Sequence, residues 1–293
     1  MTKTLSIYIA CSVLIFSACE KSLPYNSEGF TPKLVINSFN SSDSLMKIGV
    51  SLSTSTLKTP SMYELAGKCK VLLLKDNLLL LSDSLELAKG EIILPFRAVP
   101  GSIYELQLSH SDFPSIKAID SVPLEIPELY IDTLLKNAVY YTFKVRVKDF
   151  STLQKYQFQT LIHGKELIDS DSIETTYSLP FSSTDKIFIS TIRTVAGENT
   201  FALFGDELWN GQERNIDLRI LKNDILKPNF TPNYVEIILS NLSLNMYTYY
   251  ASLLQNNHVY GGPLSSVTDL NGNIDQGLGG FYFYTQNVQR LDL

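Results

Sequence analysis

Three histidines, His110, His163 and His258, lie far apart in the chain. None sits in a His-Glu-x-x-His or paired-cysteine spacing, which would set two metal ligands on one face of a helix or turn. Asp206 and Glu207 are adjacent carboxylates. On a strand they would point to opposite faces and could not share a substrate, so a solvated turn is expected there. Asp269-Leu270-Asn271-Gly272-Asn273-Ile274-Asp275 offers oxygen at alternate positions, the pattern that suits Ca²⁺. An EF-hand loop needs glycine at its sixth place and a bidentate glutamate at its twelfth; here those places hold Ile274 and Gly280. A glycine-asparagine turn without metal is therefore expected. The chain has no Gly-x-Ser-x-Gly elbow, no phosphate-binding glycine loop and no dinucleotide fingerprint. These residues assign no catalytic group, metal or cofactor, and the chain is expected not to be an enzyme. A hydrolase with an unrecognised site ranks third among the functional classes.

The aromatic residues offer the other chemistry. Tyr247, Tyr249 and Tyr250 are close in sequence, as are Phe281 to Tyr284, and Trp209 is the single tryptophan. Flat rings can form a sugar-binding platform, but strands and core-facing helices also favour Tyr and Phe for packing. Packing is the favoured reading. If a ligand stacks on this chain, Tyr247, Tyr250 and Trp209 are the residues it would meet.

The elements that must position these side chains read as strands. Met46, Ile48, Val50 and Leu52 alternate with smaller or polar residues, the signature of a strand with one buried face. Lys75-Asp76-Asn77 separates Lys70–Leu74 from Leu78–Leu81, which predicts a hairpin between two largely buried strands. Leu34–Phe39, Glu91–Phe96 and Tyr104–Leu108 complete a set of short strands at β-sandwich spacing. The turn and strand of Pro100 to Leu108 look like the late strands of immunoglobulin-like or transthyretin-like modules. Pro114, Pro123 and Pro127 crowd one region, and a domain boundary is expected near 124–130, because proline removes ladder donors and stiffens linkers. Tyr141–Val147, Tyr156–Ile162, Lys186–Ile192, Asp217–Leu221, Tyr234–Leu239 and Phe281–Thr285 continue in the same style. Leu244, Tyr247, Tyr250 or Ala251, and Leu254 recur at helical spacing behind Ser243, a suitable N-cap. They predict one amphipathic helix over about 243–256 packed on the second sheet, followed by a loop through Gly261–Gly280.

The fold class is thus all-β: an N-terminal immunoglobulin/transthyretin-like sandwich over 32–126, then a second β-rich domain over 127–293 carrying that helix. Residues 1–18 stand outside the fold. Lys3, the apolar run Leu5–Phe16, and the small residues Ser17 and Ala18 follow the order of an export signal. The run would be roughly 18 Å long as a helix, too short for a bilayer core of about 30 Å. Phe16-Ser17-Ala18-Cys19 resembles the lipobox of bacterial lipoproteins, which predicts cleavage before Cys19, acylation of that cysteine and a tether over 19–31. Membrane lipid held through Cys19 is the first expected partner, and two or three acyl chains anchor stably where one does not. A single Glu20 follows the cysteine, so neither membrane face is assigned. Cys11 leaves with the signal, so Cys69 remains as a lone thiol, expected as a small buried hydrophobe in a strand.

Loss of Lys3 leaves 23 basic residues against 30 acidic ones. That balance argues against nucleic acid, whose phosphates would be repelled. Five Asp-(Ser/Thr)-aliphatic triplets, at Asp43-Ser44-Leu45, Asp83-Ser84-Leu85, Asp120-Ser121-Val122, Asp132-Thr133-Leu134 and Asp171-Ser172-Ile173, resemble an O-glycosylation acceptor motif of exported Bacteroidota proteins.

Taken in order, several short motifs resemble the Bacteroidota lipoproteins gathered as domain-of-unknown-function family 4249. They are Cys19-Glu-Lys, Leu34-Val-Ile-Asn-Ser-Phe39, Pro100-Gly-Ser-Ile-Tyr104, Phe204-Gly-Asp-Glu-Leu-Trp-Asn-Gly211, the tyrosine-bearing Ser243 to Leu254, and Val267 to Phe281. The chain departs at Trp209, where the family more often has phenylalanine, and in its longer glycine-rich end. The resemblance implies an outer-membrane location and genes often adjacent to TonB-dependent receptors. It implies no catalytic residue. The leading expectation is a non-enzymatic accessory or ligand-capture partner of a TonB-dependent transporter. A structural or adhesive surface module is the alternative.

Overall fold

A computed structural model describes residues 31–54, 65, 67–168, 171–188, 201–207, 209–258 and 270–292. The protein is mainly β: of the described residues 66% are strand and 8% helix. The first half holds β1 (Leu34–Ser41), β2 (Leu45–Leu52), β3 (Lys68–Lys75), β4 (Leu78–Glu86), β5 (Glu91–Arg97), β6 (Ile103–His110) and β7 (Phe113–Ser121). The second continues with β8 (Glu128–Lys136), β9 (Tyr140–Lys148), β10 (Lys155–Ile168), β11 (Asp171–Ser178), β12 (Ser182–Ser183), β13 (Phe201–Gly205), β14 (Glu213–Leu221) and β15 (Phe230–Leu242). After these come α1 (Leu244–His258), β16 (Ile274–Asp275) and β17 (Leu278–Asp292). No helix among the described residues is long and apolar enough to cross a membrane.

Alternation sets the layers. In β6, Tyr104, Leu106 and Leu108 are buried while the residues between them are not. In β9, Phe143, Val145 and Val147 do the same. The strands form an eight-stranded sheet in the order β11-β10-β15-β17-β1-β2-β5 with β13 beside β10, a five-stranded sheet β16-β7-β6-β3-β4, and a four-stranded sheet β12-β14-β9-β8. The large sheet backs both of the others. One core joins Ile36, Ile48, Val71 and Leu106 with Phe281 and Phe283, and so fills the space between the large sheet and the five-stranded one. The other joins Phe143, Val145 and Ile216 with Phe158, Val235 and Ile237, between the large sheet and the four-stranded one.

The chain crosses from β7 to β8 at residues 122–127, in the proline-rich region where the sequence predicts a boundary. The last strand, however, serves both halves. β17 lies parallel to β1 at Leu278–Tyr284 and antiparallel to β15 at Tyr284–Asp292. Gly279 opens the parallel pairing: its φ is +86°, and a Cβ there would stand 2.0 Å from the Ile36 carbonyl oxygen. Only glycine permits that approach.

Three expectations are corrected. The loop expected through Gly261–Gly280 gives way to strand at Ile274–Asp275 and from Leu278 onward. Asn273 explains the change: its side-chain oxygen accepts the Phe281 N–H at 2.9 Å and its amide donates to the Phe281 carbonyl at 2.7 Å, standing in for a strand neighbour. The Asp76-Asn77 turn forms with both φ values positive, but β4 beyond it is mostly exposed instead of buried. Lys186–Phe188 is one 3₁₀ turn where a strand through Ile192 was expected; residues 189–192 lie outside the described residues.

Candidate functional site

The two sandwiches meet at a polar seam. Asp149, just past β9, accepts the Gly211 N–H at 2.8 Å and the Tyr156 hydroxyl hydrogen bond. Asp206 accepts the Gln154 N–H at 2.8 Å, and its own carbonyl accepts the Trp209 N–H at 2.8 Å. Asp206 therefore ties Trp209 to Gln154, the residue just before β10. Gly211, at φ +74°, takes a backbone conformation that suits glycine. Asn241 donates to the Gln154 side-chain oxygen at 2.5 Å and to the Glu125 carbonyl at 3.2 Å. Thr285 donates to the same carbonyl at 2.7 Å. Gln154 in turn donates to the Glu125 carboxylate. Strands β10, β15 and β17 thus hold the interdomain linker by its residue Glu125.

Asp206 is fully buried, against the expectation of a solvated turn, and one of its carboxylate oxygens has no hydrogen-bond partner among the described residues. Burial raises its pKa, with the nearby Asp149 charge acting in the same direction. Burial and the bond to Asp149 push the Tyr156 hydroxyl well above the usual phenol range.

An open groove of about 390 Å³ borders this network. Glu125, Gln154 and Asn241 supply side chains whose positions are fixed by the bonds above. Leu124, Leu153 and Leu244 also line it, exposed at 68, 69 and 67%. Three leucines this open around one fixed polar patch resemble the mixture of apolar area and few oriented polar groups found in ligand sites. Lys155 lines the groove beside them, paired with Glu207.

The sequence did not single out these residues. The available signal was Leu124 and Ile126, apolar side chains between Pro123 and Pro127 in a linker that packs no regular face.

Helix α1 starts at the groove and runs over the outer face of the large sheet. Ser243 caps it, its hydroxyl accepting the Met246 N–H at 3.2 Å. Beneath the helix lies a bed of rings. Phe39 stacks on Tyr250 at 5.8 Å and meets Tyr282 at 5.4 Å, while Tyr249 lies 5.2 Å from Tyr282. These contacts, with Leu203, Leu242 and Met246, make a third core.

The three candidate ligand residues therefore part company. Trp209 is 2% exposed, wedged against Tyr156 and Phe204 in the second core, and cannot offer a face to a ligand. Tyr250 belongs to the ring bed, and burial pushes its hydroxyl up to about 12. Tyr247 is half-buried, with the Lys155 ammonium 5.3 Å from its ring centre, and so stays beside the groove. Cys19 lies outside the described residues.

His110 and His163 are not brought together into a site. His110 meets Phe113 in the first half. His163 lies between Glu236 and Thr176, 2.9 Å from each. The side chain of His258 lies outside the described residues, as does Asp269. Among the described residues no group of three or more His, Cys, Asp or Glu could hold a metal ion. Cys69 is fully buried in β3, with its thiol pKa raised by burial.

Two sandwiches on a shared sheet, a polar seam and a ring-bedded helix define a two-part β protein with an interdomain groove. Compared with known families, residues 20–290 match the domain of unknown function DUF4249, and the chain belongs to that family. No curated protein matches it.

Proposed function

We propose that this chain is a non-enzymatic lipoprotein of a Bacteroidota outer membrane, anchored by acylated Cys19, which captures a ligand for a TonB-dependent transporter. The observation that carries the capture role is the seam groove. Its polar side chains are held in place before any ligand arrives, which lowers the ordering cost of binding. Its three open leucines offer apolar area that a ligand can cover. Tyr247 and Lys155 extend the same surface onto the helix. The anchor rests on the Phe16–Cys19 motif, and the transporter on the family resemblance.

The test is a mild-detergent pull-down of the tagged protein from its own membranes, beside Cys19→Ala and a Leu124→Ser/Leu153→Ser/Leu244→Ser variant. The expected result is a stoichiometric outer-membrane barrel that is lost with Cys19→Ala. The leucine variant should still fold and stay anchored, but lose the ligand that co-purifies with the wild type. Recovery of the lipoprotein alone from wild-type membranes would remove the transporter role and favour a structural or adhesive surface module.

A further inference from the structure

The shared strand β17 gives the molecule two distinct ends. The chain enters β1 at Leu34, where Val35 pairs with Leu278. From Leu278, β17 runs away from that entry to Asp292, opposite Tyr234. β15 begins four residues further out at Phe230, which pairs with Glu166 of β10. At about 3.3 Å per residue, the β10–β11 hairpin end lies on the order of 50 Å from the point where any N-terminal tether enters the fold.

That far end is apolar. Leu167, Ile168, Ile173 and Leu226 are exposed by between 46 and 62%. The Asn229 carbonyl accepts the Leu167 N–H at 2.8 Å and holds the Leu226 segment against the hairpin. Beside the patch, β11 is the edge strand of the large sheet. Among the described residues nothing pairs with its outer side, the side on which a further strand would add. β11 carries Asp171 and Glu174 and no basic residue.

We propose that this tip is a strand-addition site for a partner protein, whose docking segment is extended and alternates apolar with basic side chains. The open ladder edge selects a polypeptide over a small ligand or lipid, because it supplies main-chain hydrogen bonds in register. Ile168 and Ile173, on one face of the hairpin, fit the apolar side chains of such a strand, and Glu174, on the other face with Leu167, fits its basic ones. Asp171 and Glu174 disfavour a second copy of this acidic chain, which would bring like charges together. The proposal deepens the transporter-partner reading by naming a docking surface, yet it is testable without the anchor or the groove.

The test uses the purified full chain in detergent with two fluorescent peptides, Lys-Val-Lys-Val-Lys-Val-Lys and its glutamate counterpart. The basic peptide should bind and slow amide exchange over residues 171–178. Its affinity should fall at least tenfold in Leu167→Ser/Ile173→Ser, and Glu174→Lys should shift the preference toward the acidic peptide. Equal binding of both peptides, or protection absent from 171–178, would overturn the proposal. So would a dimer in analytical ultracentrifugation that the Leu167→Ser/Ile173→Ser variant abolishes. Binding to phosphatidylethanolamine–phosphatidylglycerol vesicles that the same variant abolishes would overturn it in favour of a lipid surface. None of these outcomes touches the groove leucines, so failure at the tip and failure of the capture role are read separately.

Discussion

Asp120 offers the sharpest test of the physical reading. It is 4% exposed at the end of β7, accepting the Asn245 amide at 3.0 Å and the Phe283 N–H at 3.1 Å. It therefore ties the first sandwich to the start of α1 and to the shared strand. Burial raises its pKa to about 6, against hydrogen bonds from Ser243, Ser121, Phe283 and Asn245 that pull it down. The folded value lies above the unfolded one of about 3.9, so ionised Asp120 opposes folding. That cost is fully present above about pH 6 and is relieved as pH falls toward 4, by about 3 kcal/mol in all. Between pH 7 and pH 5 the relief is about 1.3 kcal/mol.

Asp120→Asn should remove this pH dependence. The amide oxygen can still accept from Phe283, and Asn245 can turn its own oxygen toward the new NH₂. Loss of the charge-assisted bonds, about 1.5–3 kcal/mol, roughly offsets the burial cost removed, so the variant should be close to wild type at pH 7. Urea unfolding followed by the fluorescence of buried Trp209 at pH 7, 6 and 5 measures the difference. Wild type should gain on the variant by about 1.3 kcal/mol over that range, while groups common to both cancel. A difference constant to within about 0.5 kcal/mol would refute the reasoning.

Further outcomes follow from the same geometry. Gly279→Ala should destabilise the fold by more than about 3 kcal/mol, through a forbidden φ and the clash with Ile36, seen as a lost or strongly lowered thermal transition. Tyr156→Phe leaves the buried Asp149 short of a donor and should cost about 2 kcal/mol in urea unfolding. In a Cys11→Ala/Cys19→Ala chain, Cys69 should resist a thiol reagent until urea unfolds the protein, because it is fully buried. Ser44, Ser84, Ser121 and Ser172 are all exposed. If their triplets are glycosylation acceptors, intact mass from native membranes should exceed that of the acylated chain and fall by one glycan with each Ser→Ala change.

Much of the fold is legible in the sequence because period-two burial is a local property. Met46–Leu52, Tyr104–Leu108 and Tyr141–Val147 sit on strands in which alternate apolar residues such as Ile48, Leu106 and Val145 are buried. The helix expected over 243–256 forms as Leu244–His258, capped by Ser243 as its residue type suggests. What the sequence hides is set by distant partners. Leu278–Gly280 looks like loop because its strand conformation depends on β1, more than two hundred residues earlier. Asp206 looks like a surface residue because its burial depends on Gln154 and the second core. Leu78 and Leu79 look buried, but β4 is the edge strand of its sheet and they stand 74 and 63% exposed. The groove escapes notice for the same reason: its leucines come from the linker, the β9–β10 connection and the helix start, and no local pattern joins them.

The shared strand also governs the order in which the protein can assemble. β1 is made first among the strands and β17 last, yet they are neighbours in one sheet. Phe281 and Phe283 fill a core whose other walls are built from residues before 123. A ribosome-bound chain can form the β3–β4 and β6–β7 hairpins as they emerge, because their contacts are local. It cannot close the first sandwich until the fifteen-residue β17 has been made. So wide a sequence separation carries a large loop-closure entropy before any contact rewards it, and slows the final step. Both halves therefore depend on β17, and truncation at residue 277 would unzip them together.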